Sequence, residues 1–363
     1  MMKKTFPRPT LMLSAILFAG SLSAQTWSQK ADVADCRYDG VTFAIDNKVY
    51  YGSGITCGGT LSNAFRVFDP VANTWSSIAP LPGSTRRIAS SFAINGKGYV
   101  IGGISQMGTA LPDVWEYDPV ADTWTQKNNF TGPARGSTAD FVVNGKGYIC
   151  GGVANPYTYR DLWEYDPVAD AWLQRADFAG SWIFQASGFT IGAYGYVVFG
   201  RDDLGIALKE LWRYDPVANT WLQKANFPGD GRTDASAFAI NGTGYAGFGG
   251  EGVTYFGDFY SYSASTDQWT ALVGIPGAPA YYDGYVATAT AGYCLMRISA
   301  NYDLDTWEFA PGGSTSVDEN MGAGAFSVHQ SGPGEVVVVT GADAAGFVKV
   351  VGVDGKLVRT LHV

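Results

Sequence analysis

The chain has 363 residues, 46% of them hydrophobic, so it is long enough to bury a large core. Its formal net charge of −9 argues against nucleic acid and anionic membranes as partners. The 47 glycines and the 14% aromatic share favour a β-rich fold with many turns over a helical fold.

Residues 1–24 have the pattern of a secretory signal peptide. Lys3, Lys4 and Arg8 form a basic start, an apolar run follows, and small residues precede Gln25. The apolar run is too short to span a membrane, and no other segment is a spanning candidate. Cleavage before Gln25 removes three positive charges and no negative ones, so we expect an exported mature protein with a net charge of −12.

A ten-residue motif repeats along the chain and indicates its architecture. The copy at residues 115–124 reads WEYDPVADTW, and similar copies end at the other closing tryptophans: Trp75, Trp172, Trp221 and Trp269. Successive closing tryptophans are 48 or 49 residues apart. A fixed period near 50 predicts an array in which each repeat is one structural unit.

Each repeat also carries a hairpin signal and a pair of glycines. Residues 92–103 read FAINGKGYVIGG, and residues 43–54, 141–152, 189–200 and 238–249 match them. Asn-Gly between two apolar runs predicts a tight turn, because both residues accept positive φ at small cost. We therefore expect strand a, a tight turn, strand b, a variable loop, strand c, an Asp-Pro turn and strand d with the tryptophan.

The Asp-Pro turns and the closing tryptophans are interpreted as structural. Proline presets φ in a turn, and the preceding aspartate can accept hydrogen bonds from the turn backbone. Asp118, Asp166 and Asp215 recur from copy to copy, whereas a catalytic residue is needed once. The tryptophans are expected to pack between blades, and the small residues of strand a suit the narrow inner edge of a wedge-shaped blade.

Paired glycines after strand b, an aromatic-Asp-Pro turn and a tryptophan a few residues later resemble kelch repeats over residues 27–311. The resemblance implies a β-propeller with four-stranded blades. Five complete units end at the closing tryptophans, and a sixth unit after Trp269 lacks a strand d of its own.

The mature N-terminus is predicted to supply that missing strand. Residues 26–30 are similar to residues 220–224, and Trp27 precedes Trp75 by one period of 48 residues. We therefore predict an all-β, six-bladed propeller over residues 25–311. Closure by the N-terminal strand removes the exposed sheet edge of an open ring.

Residues 312–363 are predicted to form a linker and a small C-terminal β module. The segment resembles the sorting domain of type IX secretion systems at residues 316–319, 326–328 and 354–358. It departs from that family at residues 329–333, where Pro-Asn-Pro is usual. The resemblance implies the secretion machinery as a partner and a secreted or outer-membrane surface location. The alternative is a small accessory β domain.

The same position in the loop that leads into strand a holds an arginine in four of the six repeats. The residues there are Arg37, Arg86, Arg135, Ile183, Arg232 and Ala280. Two positions further on, the series is Asp39, Ile88, Ser137, Gln185, Asp234 and Tyr282, with Trp182 nearby. Since the d–a and b–c loops share one propeller face, the arginines with Asp39, Asp234, Trp182 and Tyr282 are candidate ligand-binding residues.

These candidates fit an anionic or hydroxyl-rich ligand, because arginine binds carboxylates with its planar fork and aromatic rings cover sugar faces. The alternative is that the arginines pair with Asp39 and Asp234 and only fix loops. The breaks in the arginine series at Ile183 and Ala280 make the face asymmetric, which favours a site.

The four cysteines lack metal-ligand spacing. Cys36 lies just before strand a and Cys57 just after strand b of blade 1, so a disulfide between them is our hypothesis for an exported chain. Cys150 and Cys294 fall on strands b of blades 3 and 6, too far apart to pair.

The only two histidines, His329 and His362, lie in the tail. A copper or zinc histidine site or a Ser-His-Asp triad within the ring is therefore not expected, and we predict no metal and no cofactor.

Three functions remain open. The first is an exported protein that binds a glycan or a peptide on one propeller face without catalysis. The second is a sugar-modifying enzyme of mutarotase or lyase type on the same face, and the third is a structural adhesion protein. The lack of ring histidines and of a compact catalytic constellation favours the first and third, and no catalytic residue is assigned.

Overall fold

The computed structural model describes residues 25–33, 36–277, 281–297 and 305–312, and the backbone of four strands within 327–362. Only the backbone is described at 281–283 and 296–297. The predicted signal segment 1–24 and most of the linker lie outside the described residues. The chain divides into two compact units, of which the first is Thr26–Pro311 and the second includes the C-terminal strands.

Six antiparallel sheets of four strands make up the first unit, each in the order a, b, c, d. Strands a to d are Val41–Ile45, Lys48–Gly52, Phe65–Asp69 and Thr74–Ile78 in blade 1, and Ser90–Ile94, Lys97–Ile101, Val114–Asp118 and Thr123–Lys127 in blade 2. They are Ala139–Val143, Lys146–Cys150, Leu162–Asp166 and Ala171–Gln174 in blade 3, and Ser187–Ile191, Tyr194–Val198, Leu211–Asp215 and Thr220–Lys224 in blade 4. In blade 5 they are Ser236–Ile240, Thr243–Gly247, Phe259–Ser263 and Gln268–Leu272. Blade 6 has Tyr281–Ala287, Gly292–Arg297 and Asp305–Ala310, with Thr26–Gln29 as strand d.

Short two-stranded ribbons, which the sequence did not predict, extend the loops above the blades. They pair Arg37–Tyr38 with Ile55–Thr56, Arg86–Arg87 with Ile104–Ser105, Val153–Ala154 with Tyr157–Thr158, and Gly250–Glu251 with Thr254–Tyr255. Because strands b and d run towards the same end of the blade, all b–c and d–a loops lie on one face. We call this the top face, and the face with the a–b and c–d turns the bottom face.

The six blades close into a ring around a central axis. The innermost strands contact one another from blade to blade, and strand a of blade 6 contacts strand a of blade 1. The predicted all-β, six-bladed propeller is confirmed. The described residues contain strands and turns and no helix. Within this part of the chain, no helix that could cross a membrane is found.

The N-terminal strand completes blade 6. Thr26 pairs with Ala310 and Gln29 with Trp307, in antiparallel register. The Trp27 ring packs among phenylalanines at centroid distances of 4.9 to 5.6 Å, namely Phe309, Phe259 and Phe248. The strand therefore joins the sheet of blade 6 to the core of blade 5.

The closing tryptophans join neighbouring blades, as the repeat predicts. In four blades the indole Nε1 donates to the backbone carbonyl just after strand d of the preceding blade. The pairs are Trp75 with Ala31, Trp124 with Ala79, Trp221 with Ala176 and Trp269 with Ala225, at 2.8 to 3.1 Å. Ala31 follows the N-terminal strand, so this segment also fixes blade 1 against blade 6.

The Asp-Pro turns have the expected structural role. In blade 2, Oδ1 of Asp118 accepts hydrogen bonds from the backbone N–H groups of Val120 and Ala121, at 2.9 and 3.4 Å. The equivalent bonds are present at the turns that begin with Asp69, Asp166 and Asp215. These carboxylates are thus occupied by their own turns.

The second glycine after strand b is required by a close approach. Gly103 has φ of +93°, and a Cβ there would lie 2.9 Å from the carbonyl oxygen of Arg87. The chain entering strand a therefore passes directly over the end of strand b, which brings the two sets of top loops together.

The second unit contains four described antiparallel strands in chain order: Ser327–Gly332, Glu335–Val339, Phe347–Gly352 and Leu357–His362. They lie within residues 312–363, for which the sequence predicts a linker and a small C-terminal β module.

Candidate functional site

The four arginines singled out in the sequence lie beneath the top face. Their exposed fractions are 3% or less, for Arg37, Arg86, Arg135 and Arg232. Each guanidinium donates to a backbone carbonyl at the end of strand b of its own blade. The acceptors are Ser53, Gly102, Gly151 and Phe248, at 2.9 to 3.1 Å.

Three of these arginines also form bidentate ion pairs with an aspartate that precedes strand c. The distances are 2.7 and 2.6 Å between Arg86 and Asp113, and 2.6 and 3.0 Å between Arg232 and Asp258. Arg135 pairs in the same way with Asp161, and Arg37 donates to the carbonyl of Ala64 at 2.7 Å. Each pair fixes the b–c loop to the chain entering strand a.

The arginines therefore do not ring an open mouth. The alternative that they pair with Asp39 and Asp234 is wrong in its partners, because the side chains turn into the b–c loop of their own blade. Ligand contact by the arginines stays a prediction, and the geometry favours the loop-fixing role. The expectation of an anionic ligand rested on exposed arginines, and these arginines are buried and paired.

Asp39 and Asp234, in contrast, do reach the axis. They belong to a tier of residues with φ between +49° and +59°, formed by Asp39, Ile88, Ser137, Gln185 and Asp234. Backbone N–H groups of Ile88, Ser137 and Gln185 each donate to the carbonyl of the preceding member, at 2.8 to 2.9 Å. This chain of bonds holds the tier as the rim of the central channel.

Below the rim lies a cavity of about 160 Å³, which we call the axial cavity. Its floor is formed where strand a of five blades presents one residue to the axis: Thr42, Ser91, Asp140, Gly188 and Tyr285. All five of these residues also line a second cavity of about 260 Å³ further down the axis. The floor tier thus divides the channel in two.

Tyr285 reaches across the channel. It lies on strand a of blade 6, and its hydroxyl hydrogen-bonds to the Ser187 side chain and the Gly188 backbone of blade 4. A Cβ at position 188 would lie 2.1 Å from the carbonyl oxygen of Asp140. Glycine is therefore needed there for blades 3 and 4 to approach beneath the ring.

Asp140 is the carboxylate of the floor. Its Oδ2 accepts one hydrogen bond, from the backbone N–H of Ser91 at 3.2 Å. Burial raises the pKa of Asp140 from the ordinary 3.8 to about 7, because no positive charge compensates the loss of solvation. At the rim, burial and the charge of Asp39 raise the pKa of Asp234 to about 6. Two raised carboxyl pKa values in one cavity mark a functional-site candidate.

The raised pKa of Asp140 predicts a pH-dependent stability. A carboxyl with a folded-state pKa near 7 contributes stability that is fully present below pH 3.8 and is lost as pH rises through 7. Asp234 acts in the same direction, whereas carboxyls such as Asp118, whose pKa is lowered chiefly by Lys97, act in the opposite direction and titrate at lower pH. We expect the melting temperature to fall between pH 5 and pH 8.

Asp140→Asn tests the cause, because the amide stays neutral. Calorimetric melting from pH 5 to pH 8 should show a smaller fall in the variant, with the variant more stable than the parent at pH 8. Equal slopes in the two proteins would contradict the assignment to Asp140.

A cleft of about 250 Å³ opens beside the rim between blades 4 and 5. Arg201 lines it at the position held by Ile55, Ile104 and Val153 in blades 1 to 3. The guanidinium pairs with Glu251 at 2.7 Å. Gly250 occupies the equivalent place in blade 5, so the repeat changes on both walls of the cleft.

The remaining candidates lie apart from the axial cavity. Trp182 is 43% exposed in a d–a loop, with the Arg160 guanidinium 5.6 Å from its ring centroid. Tyr282 lies in strand a of blade 6, where only its backbone is described. Cys36 and Cys57 form a disulfide with their Cα atoms 5.5 Å apart, which ties the start of blade 1 to its b–c loop.

Large apolar side chains are exposed on the top loops of blades 2 to 5. They are Met107, Tyr157, Trp182, Leu204, Ile206, Val253 and Tyr255. They differ in type and position from blade to blade. The exposed apolar residues of the bottom face are instead one repeated residue of the Asp-Pro turn: Val71, Val120, Val168 and Val217.

Among the described residues, no group of three or more potential metal-ligating side chains comes together. Sequence reasoning did not identify Asp140, Tyr285 or Arg201. A signal for Asp140 was present, since it is an ionisable residue where the other repeats have Thr42, Ser91, Gly188 and Ala237.

The chain has recognisable relatives. Residues 14–191 match the family model for the KLHDC2/KLHL20/DRC7 Kelch-repeats domain. The chain is also similar to a solved structure titled "Structure of YjhT", at a TM-score of 0.66 and 17% identity, over 85% of this chain and 99% of the other. At this identity, the likeness shows the fold alone. No curated protein sequence matches the chain. The six four-stranded blades make residues 26–310 a six-bladed β-propeller, and the matched part of the chain, residues 14–191, carries the kelch-repeat pattern.

Proposed function

We propose that the protein is an exported binding protein whose top face holds a polypeptide ligand. A kelch propeller indicates an interaction role. The observation that carries the proposal is the set of exposed apolar side chains on the top loops of blades 2 to 5. Exposed apolar groups that cluster on one face mark interaction sites, whereas scattered ones need no explanation.

The chemistry of these side chains suits a protein interface. Tyrosine, tryptophan and arginine are enriched among residues that dominate binding energy. Tyr157 is 65% exposed, and Trp182 is 43% exposed beside Arg160. The b–c loops of blades 2, 3 and 5 are held in place by the buried arginine–aspartate pairs. A rigid base with variable side chains is the usual arrangement for recognition.

Export is the second part of the proposal. It is supported by the signal-peptide pattern of residues 1–24, by the disulfide between Cys36 and Cys57, and by the resemblance of residues 312–363 to a type IX sorting domain. A secreted or outer-membrane surface location follows from it. Mass spectrometry of culture medium and cell-surface fractions, with the N-terminal residue identified, tests this location.

The binding role is tested by selecting peptides from a displayed library on the full chain. Dissociation constants follow from fluorescence polarisation with the selected peptides. We expect the double variant Trp182→Ala with Tyr255→Ala to bind at least about 30-fold more weakly, since the loss of a single hot-spot residue already costs about 2 kcal/mol.

The matched control is Val120→Ser with Val217→Ser, which changes the same number of exposed side chains on the bottom face. This variant should bind like the parent. Selection of no peptide, or loss of binding in the bottom-face variant alone, would contradict the proposal. A parallel glycan array in place of peptides gives the same contrast for the carbohydrate alternative.

A further inference from the structure

The lining of the axial cavity, including its rim, is negatively charged. It contains three aspartates and neither lysine nor arginine. Asp39 at the rim is paired with Arg87 at 3.1 Å. Asp234 accepts from the Gln185 amide at 3.0 and 3.1 Å and lies near Arg201. The negative charge is therefore partly balanced at the rim.

At the floor of the axial cavity, the charge of the Asp140 carboxylate is not balanced in this way. Asp140 has one hydrogen bond, from the Ser91 backbone, although an ionised carboxylate offers about four acceptor positions. Within the described part of the chain, no cationic side chain forms an ion pair with it. A buried charge without a partner is costly, so the site favours a ligand that brings a positive charge. The cavity that contains this carboxylate opens to the top face.

The size and the remaining lining restrict the ligand. A cavity of about 150 Å³ accommodates a six-carbon ring, so about 160 Å³ accepts a slender group of five or six heavy atoms. Ser91, Ser137 and Thr138 add hydroxyl groups to the wall. The narrow cavity presents a single carboxylate without an ion-pair partner, which suits the compact point charge of an ammonium better than the broad planar fork of a guanidinium.

We propose that the axial cavity takes a protonated primary amine, the side-chain ammonium of a lysine in the bound polypeptide, with its nitrogen against Asp140. The lysine stem passes between Asp39 and Asp234 at the rim. The hydroxyl groups of the wall accept the remaining N–H bonds. The polypeptide nature of the ligand rests on the proposed function, whereas the amine chemistry stands on the cavity alone.

A small probe tests the amine chemistry without any peptide. The full chain is titrated with n-butylammonium chloride by calorimetry, with 1-pentanol as the uncharged analogue and methylguanidinium as the planar cation. We expect binding of n-butylammonium, at least tenfold weaker binding of the other two, and stronger binding at pH 8 than at pH 6. Asp140, Asp39, Asp234 and Tyr285 are the titratable groups that face the cavity.

Asp140→Asn keeps the shape and removes the charge, and should weaken n-butylammonium binding at least tenfold. Asp203→Asn removes an exposed carboxylate from a b–c loop of the same face and should leave binding unchanged. No binding by the parent, equal binding in Asp140→Asn, or preference for 1-pentanol or methylguanidinium would overturn the inference.

The outcome also separates this inference from the proposed function. Selected peptides whose affinity survives replacement of every lysine by norleucine would overturn the amine site and leave the binding role in place. Binding of n-butylammonium by a chain that selects no peptide would support the amine site and contradict the polypeptide role.

Discussion

A chain that begins at Asp32 is expected to lose the cooperative melting transition of a chain that begins at Gln25. The shorter chain lacks strand d of blade 6 and the tryptophan packed among Phe248, Phe259 and Phe309. Removing a fully buried tryptophan side chain costs about 3 to 5 kcal/mol, and Trp27 is partly buried, so its removal alone costs less. The strand also carries four backbone pairings and the carbonyl of Ala31 that Trp75 binds. Their combined loss approaches the whole stability of a typical domain.

Two point variants show how much of the stability lost in this deletion comes from single side chains of the strand. Trp27→Ala should lower the free energy of unfolding by about 2 to 3 kcal/mol, below the range for a fully buried tryptophan. Thr26→Ala at the exposed start of the strand should change it by less than about 0.5 kcal/mol. A deletion variant that melts cooperatively at the temperature of the longer chain would show that the ring does not depend on this strand.

Asp258→Ala should be far more damaging than the loss of an exposed ion pair. It leaves the fully buried Arg232 with the carbonyls of Phe248 and Asp230 and the rings of Phe227 and Phe256, at 4.6 and 4.2 Å. Removal of one partner from a buried ion pair costs about 3 to 5 kcal/mol, because the other charge stays in the interior. Chemical denaturation monitored by tryptophan fluorescence measures the loss.

Lys48→Ala provides the contrast. It breaks an exposed ion pair with Asp69 at 3.0 Å, in which the lysine side chain is 50% exposed. Exposed pairs contribute about 0 to 1 kcal/mol, so the variant should unfold close to the parent. Equal losses in the two variants would mean that the buried pair is no more important than a surface one.

The fold could be predicted in detail because the same turn and strand motifs recur in the sequence at a fixed spacing. A single Asn-Gly or Asp-Pro is a weak signal, but five copies at one spacing fix strand order and blade number. The closing strand followed from the distance between Trp27 and Trp75. The small ribbons above the blades were missed, because their two-residue strands carry no periodic pattern.

The candidate site was predicted in part. Asp39 and Asp234, which the sequence assigned only to a ligand-binding face, lie at the channel rim and line the axial cavity. The arginines were assigned to the same face, yet their long side chains turn into their own blades, and register alone does not show side-chain direction. A sequence signal did exist, since Arg86, Arg135 and Arg232 are each followed 26 or 27 residues later by an aspartate.

The break in the repeat at Asp140 was visible in the sequence, but its position in one cavity with Tyr285 could not be recognised without the ring. Their relation appears only when blades 3 and 6 face each other across the axis, where Tyr285 bonds to Ser187 and Gly188. Asp140 and Tyr285 are separated by more than a hundred residues, so local pattern does not show that they meet.

Hydrogen–deuterium exchange of the full chain with and without a selected peptide tests the central claim most directly. The top face is assigned as the binding face, so protection should appear at residues 153–160, 182–187 and 201–207, and at the channel strand 139–143. Exchange at the c–d turns, such as residues 118–122, should be unchanged. Protection confined to those turns, with no change in the top loops, would contradict the assignment of function to the top face.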